Sequence, residues 1–346
     1  MLDDASVVVG AAATAFALAA AGSYAMSRGR IPWLQMLDQP NTRSLHLHPV
    51  PRGGGLAILV AVAIALLFAA PVLGARAELL WIAASVLPVA IVSLFDDRGH
   101  VRPPVRLMIH VFSAVVLLVG GIGWWQILWP GGHWLPPAPL AMLLTVLFVV
   151  WMTNLYNFMD GLDGLAGGMA TVGFGVLAAL GWQGGDPLFA AVAATIAAAA
   201  AGFLTQNLPR ARLFMGDVGS SSLGFLAAAL ALWGSGSGLF PLWVAWLAFA
   251  PFIVDATWTL LRRLVAGEPV WQAHRSHHYQ RLVGAGWSHR QTLIWAYLLF
   301  AATGASAWMA PAMVPSEQWF LLAAWAAILV LIHLKIGLLE RKHDRG

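Results

Sequence analysis

The chain has 346 residues, 60% of them hydrophobic and 10% charged, with a mean hydropathy of +0.76 and a formal net charge of +4. Soluble proteins are about half apolar and about a quarter charged, so this composition excludes a soluble globular chain and a disordered one. It predicts a polytopic membrane protein, in which a small excess of Lys and Arg sets the topology and does not indicate nucleic-acid binding. Cysteine is absent, which excludes disulfides and thiolate metal sites.

Eleven apolar stretches follow one another along the chain, and about 20 apolar residues are enough to span a bilayer. The shortest, near 79–95 and 218–234, are the weakest because they run into polar motifs. We predict one all-α integral membrane domain over residues 1–346. Its spans are predicted near 5–26, 54–74, 79–95, 104–123, 139–158, 163–182, 187–206, 218–234, 240–262, 291–310 and 317–338.

The polar connections divide unequally between the two sides of the membrane. Every Lys and Arg except Arg76 lies in, or close to, an odd-to-even connection. By the positive-inside rule these connections face the cytoplasm and the N-terminus faces the other side. The connections that carry polar motifs lie near 27–53, 96–103, 159–162, 207–217 and 263–290.

Six acidic residues lie at membrane boundaries or within spans, where a charge costs about 2.5–3.5 kcal/mol on insertion scales. A single boundary Asp is often a helix cap. Five of these six, however, come from three connections and are predicted at the same face, which indicates a functional site. The sixth, Asp255, fits a transporter better, or pairs with a neighbouring helix or Arg262. The six are Asp96, Asp97, Asp160, Asp163, Asp217 and Asp255.

The segment NLYNFMDGLDGLAGG places Asn154, Asn157, Asp160 and Asp163 at intervals of three residues. On a helix, steps of three drift by only about 60°, so the first three of these residues are predicted to line one side. Oxygen ligands at a helix end beside glycines suit a hard cation such as Mg²⁺. Close helix packing would explain the glycines but not the acids.

The segment SLFDDRGHVRPPVR ends a predicted span with two adjacent carboxylates, Asp96 and Asp97. Such carboxylates repel each other unless a cation or a proton lies nearby. Arg98, Arg102 and Arg106 follow within ten residues. Carboxylates beside guanidinium groups suit a site that handles both a metal and a phosphate.

The segment NLPRARLFMGDVGSSS places Asp217 between Gly216 and Gly219 where a span begins. Backbone NH groups at a helix start can receive an anion. Phe214 can stack on a base, although an interfacial Phe is often only a membrane anchor.

Two segments bring His and Arg to the predicted cytoplasmic surface. The first, TRSLHLHPVPRGGG, carries Arg52 and then three glycines that permit close backbone approach. In the second, HRSHHYQR, no helical i,i+4 His pair with a Glu completes a zinc-protease pattern, so phosphate binding is favoured over zinc. A plain basic loop at the membrane surface remains the alternative. The second segment carries His274, Arg275, His277, His278 and Arg281.

A metal, cationic donors and access to lipid together indicate phosphoryl transfer onto or from a lipid. The alternative is a cation-coupled transporter, in which intramembrane acids and broken helices are common. Transporter sites lie near the midplane of the bilayer, however, and these acids gather at one face.

The ordered segments RSLHLHPVPRGGG, FDDRG, NLYNFMDGLDGLAGG, NLPRARLFMGDVGS and HRSHHYQRL resemble the polyprenyl-phosphate N-acetylhexosamine-1-phosphate transferases. The resemblance runs from about residue 38 to residue 290 in the motif order of that family. Eleven spans resemble the bacterial branch that initiates O-antigen and common antigen, which is related to phospho-N-acetylmuramoyl-pentapeptide transferase. The latter has ten spans.

The resemblance implies an enzyme of the bacterial inner membrane with a cytoplasmic active site. Undecaprenyl phosphate and a UDP-N-acetylhexosamine would give undecaprenyl-diphosphate-sugar and UMP, the first membrane step of a lipopolysaccharide-type polymer. The implied cofactor is Mg²⁺, for which Mn²⁺ can substitute, and family members are often homodimers. The sequence does not identify the sugar.

The resemblance also implies a role for each site residue. Asp217 would bind Mg²⁺ with Asn157 as a second ligand, and Asp96 and Asp97 would position or deprotonate the lipid phosphate. Uridine would be held by Asp163, Asn207 and Phe214. The diphosphate or the sugar would be held by Arg275, His277 and His278. Further substrate contacts would be Arg52, Arg106, Asn154, Asp160 and His274.

Two positions depart from the family pattern. Arg106 stands where the family usually has Lys, and a planar guanidinium does not replace an ammonium in every role. The peptidoglycan branch has three successive His, and here Ser276 occupies the place of the first, with His274 two residues earlier. This departure argues against a muramoyl-pentapeptide substrate.

Two mechanisms are open. We favour direct attack by the lipid phosphate, because a phosphate monoester with a second pKa of about 6 is mostly a dianion at neutral pH and needs no strong base. The rival mechanism has two steps and an Asp nucleophile.

Overall fold

The computed structural model describes residues 3–31, 36–38, 49–268 and 275–343. Helices make up about three quarters of it and strands very little, which confirms the all-α prediction. Thirteen α-helices occur in these ranges: α1 Asp4–Ser27, α2 Gly54–Val72, α3 Ala77–Arg98, α4 Pro103–Val119, α5 Ala138–Phe158, α6 Leu165–Gln183, α7 Pro187–Asn207, α8 Asp217–Gly236, α9 Leu242–Ala248, α10 Ala250–Val265, α11 His278–Gly284, α12 His289–Met309 and α13 Pro315–His343. A 3₁₀ turn, Ala310–Ala312, follows α12.

Nine helices in the described part of the chain are long and apolar enough to cross a membrane. Each coincides with a predicted span, including the two weak ones near 79–95 and 218–234. The predicted total of eleven is not confirmed. The span predicted near 104–123 is the 17-residue helix α4, which ends before Gly120 and Gly121.

The span predicted near 240–262 coincides with a bent pair of helices, α9 and α10, which meet at an angle of 85°. The chain turns at Phe249, whose φ of −103° and ψ of 9° leave the helical region. Pro251 follows in the first turn of α10, where its missing NH costs nothing. The apolar run is unbroken, so hydropathy reports its length but not its change of direction.

Burial separates the central helices from the peripheral ones. In α8, 94% of the most apolar window is buried inside the protein, against 72% in α7 and 11% in α13. Helix α8 contacts α2 so closely that a Cβ added to Gly55 would lie 2.1 Å from Cα of Gly219. This contact confirms that the glycines after Arg52 permit close backbone approach.

Two short β-ribbons lie at opposite ends of the helices. β1 Met36–Asp38 pairs antiparallel with β2 Val50–Arg52, directly before α2. β3 Ile127–Trp129 and β4 Gly132–Trp134 form a hairpin between α4 and α5. We call the end that holds β2, the end of α3 and the start of α8 the site end. The end that holds the hairpin and the starts of α3 and α7 is the far end.

Candidate active site

The centre of the site end is a contact between the last turn of α3 and the first turn of α8. One oxygen of Asp97 accepts the NH of Asp217 at 2.9 Å, and the other accepts the NH of Val218 at 3.0 Å. The Asp97 side chain is 0% exposed. Gly216, with φ of 77°, turns the chain into α8 and leaves room for this carboxylate. The start of α8 does receive an anion, as predicted, but the anion is the protein's own Asp97.

Arg106 of α4 lies between two further carboxylates. It forms an ion pair with one oxygen of Asp96, whose other oxygen accepts the NH of Val101 at 2.7 Å. The Nη1 atom of Arg106 is also 3.1 Å from Oδ2 of Asp217. Because one guanidinium spans both acids, it fixes the end of α3 relative to the start of α8.

Asn157, in the last turn of α5, faces the same helix start. Its amide nitrogen lies 3.5 Å from Oδ2 of Asp217, and its amide oxygen accepts the hydroxyl of Ser220 at 2.7 Å. As placed, the nitrogen and not the oxygen faces Asp217, and a half-turn of the amide exchanges the two atoms. Asn157 therefore lies where it was predicted, and its role as a metal ligand stays a prediction.

Asp160 lies just beyond the end of α5 and adds another carboxylate. Burial, followed by the charges of Asp217 and Asp97, raises the pKa of Asp160 to about 7. Arg52 lowers it only in part, and this arginine also lies 3.8 Å from Asp97. Negative charge is therefore in excess here, and a cation would relieve it.

Asp163 and Asn207 hold two loops together. The Asn207 amide accepts the NH of Gly164 at 2.9 Å and donates to the carbonyl of Leu213 at 2.9 Å. Asp163 accepts the NH of Ala211 at 2.9 Å. These contacts fix the loop between α7 and α8 against the start of α6, and contact of either side chain with uridine stays a prediction.

The backbone of Phe214 joins this loop to β2. Its NH donates to the carbonyl of Pro51 at 2.8 Å, and its carbonyl accepts the NH of Gly54 at 3.0 Å. The Phe214 residue is half-buried. The backbone contacts place Arg52 and Phe214 beside each other at the site end, while base stacking by the ring stays a prediction.

Asn154 lies one turn deeper than Asn157 and contacts different partners. Its amide nitrogen donates to the carbonyl of Val150 at 2.7 Å and lies 3.3 Å from Nδ1 of His110 in α4. The predicted common side of Asn154, Asn157 and Asp160 therefore divides, because Asn154 faces α4 and Asn157 faces α8. A direct substrate contact by Asn154 stays a prediction.

Asp255 and the two histidines form a second buried cluster. Both oxygens of Asp255 lie 3.0 Å from the NH of His278, and one lies 3.3 Å from Nδ1 of His277. Asp255 thus caps α11, so it pairs with a neighbouring helix as expected. Among the described residues its partners do not include Arg262, which instead points to the carbonyl of Ser276 at 3.5 Å.

The remaining residues of the HRSHHYQR segment lie in different environments. Burial lowers the pKa of His278, and the nearby charge of Asp255 opposes this shift only in part. Arg275 is exposed at the surface, and His274 lies outside the described residues. The grip of these residues on a diphosphate or a sugar stays a prediction.

Helix α11 also contacts the loop that carries Asp160. The hydroxyl of Tyr279 donates to the carbonyl of Phe158 at 3.4 Å. A Cβ at Gly161 would lie 2.1 Å from the same hydroxyl oxygen, so only glycine fits here without a shift. Nothing in the sequence pairs Gly161 with Tyr279. This contact, together with the stacking of Phe158 beside His277, joins the histidine cluster to the carboxylate cluster.

The oxygen atoms at the site end suit a hard cation such as Mg²⁺. Within the described ranges, no group of three or more His, Asp or Glu side chains is arranged to hold a metal alone. Mg²⁺ commonly takes one or two carboxylates and completes its shell with water and substrate phosphates. Asp217, whose side chain is 27% exposed, and the excess negative charge at Asp160 therefore fit a Mg²⁺ site that the substrate completes.

Comparison with known proteins gives consistent matches. The model of the family described as Glycosyl transferase family 4 matches residues 79–235, the range that carries Asp96, Asp97, Asp160 and Asp217. The chain is 30% identical to the decaprenyl-phosphate N-acetylglucosaminephosphotransferase of Mycobacterium leprae, over 77% of this chain and 74% of that one.

Two further relatives cover most of the chain. It is 27% identical to a probable undecaprenyl-phosphate N-acetylglucosaminyl 1-phosphate transferase of Bacillus subtilis, over 76% of this chain and 74% of that one. It is also 27% identical to the undecaprenyl-phosphate alpha-N-acetylglucosaminyl 1-phosphate transferase of Salmonella typhi, over 86% and 81%.

Proposed function

The chain belongs to the polyprenyl-phosphate N-acetylhexosamine-1-phosphate transferases, and we propose that it transfers a sugar 1-phosphate from a UDP-N-acetylhexosamine to undecaprenyl phosphate. The products are undecaprenyl-diphosphate-sugar and UMP. The relatives are named for N-acetylglucosamine, so UDP-N-acetylglucosamine is the first donor to test. In this proposal the reaction begins a lipopolysaccharide-type polymer.

One observation carries the proposal: carboxylates and guanidinium groups from α3, α4 and α8 meet at the ends of membrane-spanning helices. Phosphoryl transfer needs little covalent chemistry from the protein and depends on positioning and charge neutralisation. Arg106, 3.1 Å from Asp217, is placed to attract a phosphate and to reduce the repulsion between Asp96 and Asp217. A site at a helix end is open to a lipid headgroup and to a soluble nucleotide at once.

We further propose that Mg²⁺, or Mn²⁺ in its place, is held by Asp217 with Asn157 as a second ligand. When bound, the ion neutralises charge on the phosphates that react. The Asn157 amide must present its oxygen for this, and Ser220, which now donates to that oxygen at 2.7 Å, must then find another acceptor. Its hydroxyl also lies 3.2 Å from the carbonyl of Gly216, so an acceptor is already at hand.

The contacts of the two acids of α3, Asp96 and Asp97, support direct attack by the lipid phosphate. Both oxygens of Asp97 accept backbone NH groups and the side chain is enclosed. Both oxygens of Asp96 are likewise occupied, by Arg106 and by the NH of Val101. Neither carboxylate is presented as a nucleophile, and the lipid dianion needs no base. Asp96 and Asp97 therefore act by holding Arg106 and Asp217 in place.

The site end faces the cytoplasm of the bacterial inner membrane in this proposal. Arg98, Arg102, Arg210 and Arg212 lie in or beside the connections at that end. Arg76, at the far end, forms an ion pair with Asp186. The positive-inside rule then orients the chain. A homodimer, as in many family members, stays a prediction.

The transporter alternative has no support. A transport site is expected near the bilayer midplane between broken helices, and the one bent pair among the described helices, α9 and α10, contributes Asp255 to a helix cap and not to a pathway.

The test is UMP release by the purified protein from a panel of UDP-N-acetylhexosamines, with and without undecaprenyl phosphate. We expect release from at least one donor, only with the lipid, and a lipid-linked sugar as the second product. Asp217→Asn, which should be strongly impaired, serves as the low-activity control. No release from any donor, or release that ignores the lipid, would overturn the proposal.

A further inference from the structure

Helix α13 is the least buried of the spanning helices, yet it carries polar residues in its half near the site end. Only 11% of its most apolar window is buried, so most of its surface faces lipid. His333, Lys335 and Glu340 nevertheless lie on it. Polar residues inside a span are costly, and they commonly mark a function when their partners can be named.

At the far end, the polar contacts of α13 are local or involve the hairpin. Gln318 donates to the carbonyls of Ala310 and Met313, both at 3.1 Å. The ring NH of Trp319 donates to the carbonyl of Pro130 at 3.1 Å. None of these contacts reaches the candidate active site.

At the other end, the two polar contacts that the described side chains of α13 make, through His333 and Glu340, reach α11. Glu340 accepts two charge-assisted hydrogen bonds from Arg281, at 2.6 and 2.5 Å. Two-point pairs of this kind fix geometry as well as contributing free energy. Nδ1 of His333 lies 2.9 Å from Nε2 of His278, and the His333 ring packs on Trp258 with centroids 4.4 Å apart.

Helix α11 needs such support because it has only seven residues. Isolated helices shorter than about 12 residues are marginal in water, so the place of α11 is set by what contacts it. Asp255 fixes its first turn, and His333 and Glu340 fix one side of it. Tyr279, on the same helix, touches the loop of Asp160 through the carbonyl of Phe158.

We propose that His333 and Glu340 are positioning residues, which hold α11, and with it His277 and His278, beside the loop of Asp160, where the donor nucleotide sugar binds in the proposed reaction. This inference rests on the proposed function, since it assigns the donor to that side of the site. Helix α13 thereby acts as a brace for the donor-binding segment. The lipid phosphate and the cation are handled by residues of α3, α4, α5 and α8, which α13 does not fix.

The test compares Glu340→Gln with a matched control on the same helix, Glu317→Gln. Glu317 makes only a local contact at the far end, accepting the NH of Val314 at 3.1 Å. In Glu340→Gln we expect the donor KM to rise at least about fivefold. Its kcat and its KM for undecaprenyl phosphate should stay near the wild-type values. The control should change none of these. The double variant Arg281→Glu with Glu340→Arg should restore part of the donor KM.

A second readout does not depend on activity. Hydrogen exchange of the backbone amides of 278–284 should quicken in Glu340→Gln and in His333→Phe, because α11 loses its support. It should not quicken in Glu317→Gln. Unchanged exchange and an unchanged donor KM in an active Glu340→Gln protein would overturn the inference. Failure of the wild-type protein to release UMP would instead overturn the proposed function.

Discussion

Asp and Arg side chains lie beside the start of a helix at both ends of the helix bundle, but the balance of acidic and basic side chains differs between the two ends. At the far end, Asp186 caps α7 by accepting the NH of Phe189 at 2.9 Å. Its oxygens lie 2.8 and 2.6 Å from Nη2 of Arg76, which also packs over Trp233 at 5.2 Å. One acid meets one base, and both charges are compensated.

At the site end, Asp97 caps α8 in a similar way, but from another helix and among further acids. Asp96, Asp160 and Asp217 surround that helix start, and the arginines recorded beside them in the described residues are Arg52 and Arg106. Burial, together with the negative charges of Asp217 and Asp97, raises the pKa of Asp160 to about 7. A paired charge at a helix start therefore indicates a structural contact, whereas an unbalanced group indicates a site that receives a cation or a cationic complex.

The largest difference between the two ends is expected from matched Asp→Asn variants. Asp217→Asn removes the proposed metal ligand and should lower turnover by about 10²–10³-fold, as loss of a key electrostatic group does. Asp186→Asn weakens only the far-end pair, so it should lower thermal stability while leaving turnover within a few-fold of the unchanged protein. Turnover and melting in detergent are measured on both. Equal loss of turnover in the two variants would contradict the view that the site end is functional and the far-end ion pair is structural.

A smaller loss is expected from Asp97→Asn. An amide can accept only one of the NH groups of Asp217 and Val218, so the start of α8 loses part of its cap, at a cost of about 1 kcal/mol. We expect turnover to fall by about fivefold, without reaching zero. Complete loss of activity at every pH would instead mark Asp97 as a covalent nucleophile.

The raised pKa of Asp160 predicts how cation binding depends on pH. The folded-state pKa of about 7 lies above the ordinary value of 3.8, so the carboxyl is protonated below about pH 7 and ionised above it. Apparent Mg²⁺ affinity should therefore rise between about pH 6 and pH 8, by less than tenfold per unit. Asp160→Asn should flatten this dependence, and a variant that keeps the full slope would show that another group titrates.

The smallest effects are expected from Arg→Lys at the two ends. Arg106→Lys keeps a positive charge near Asp96 and Asp217, and its ammonium nitrogen can replace Nη1, the one guanidinium nitrogen that contacts both acids. Turnover should fall only a few-fold, because the ammonium group of Lys keeps the positive charge between the two acids. Arg76→Lys should leave kcat unchanged and slightly lower the melting temperature. A loss in Arg106→Lys as large as that in Asp217→Asn would show that the guanidinium itself contacts the substrate.

Some features could be predicted from the sequence because they depend on local composition. Hydropathy located every described helix that is long enough to span. The glycines after Arg52 predicted a close backbone approach, and the structure shows that the partner is α8. Other features depend on contacts between distant segments. The bend at Phe249 changes direction without changing hydropathy, and the uses of Asp97 and Asn207 as partners of backbone groups require knowing which loops meet. The partner of Asp255 was open for the same reason, because His278 lies 23 residues away on another helix.

The central claim is that this site transfers the sugar phosphate directly to the lipid, and a single-turnover reaction tests it. The purified protein is mixed with UDP-N-acetylglucosamine labelled in the sugar, first without and then with undecaprenyl phosphate. We expect no UMP and no label on the chain without the lipid, and one equivalent of UMP with lipid-linked label when it is added. A burst of UMP without lipid, with label trapped on the protein, would contradict direct transfer.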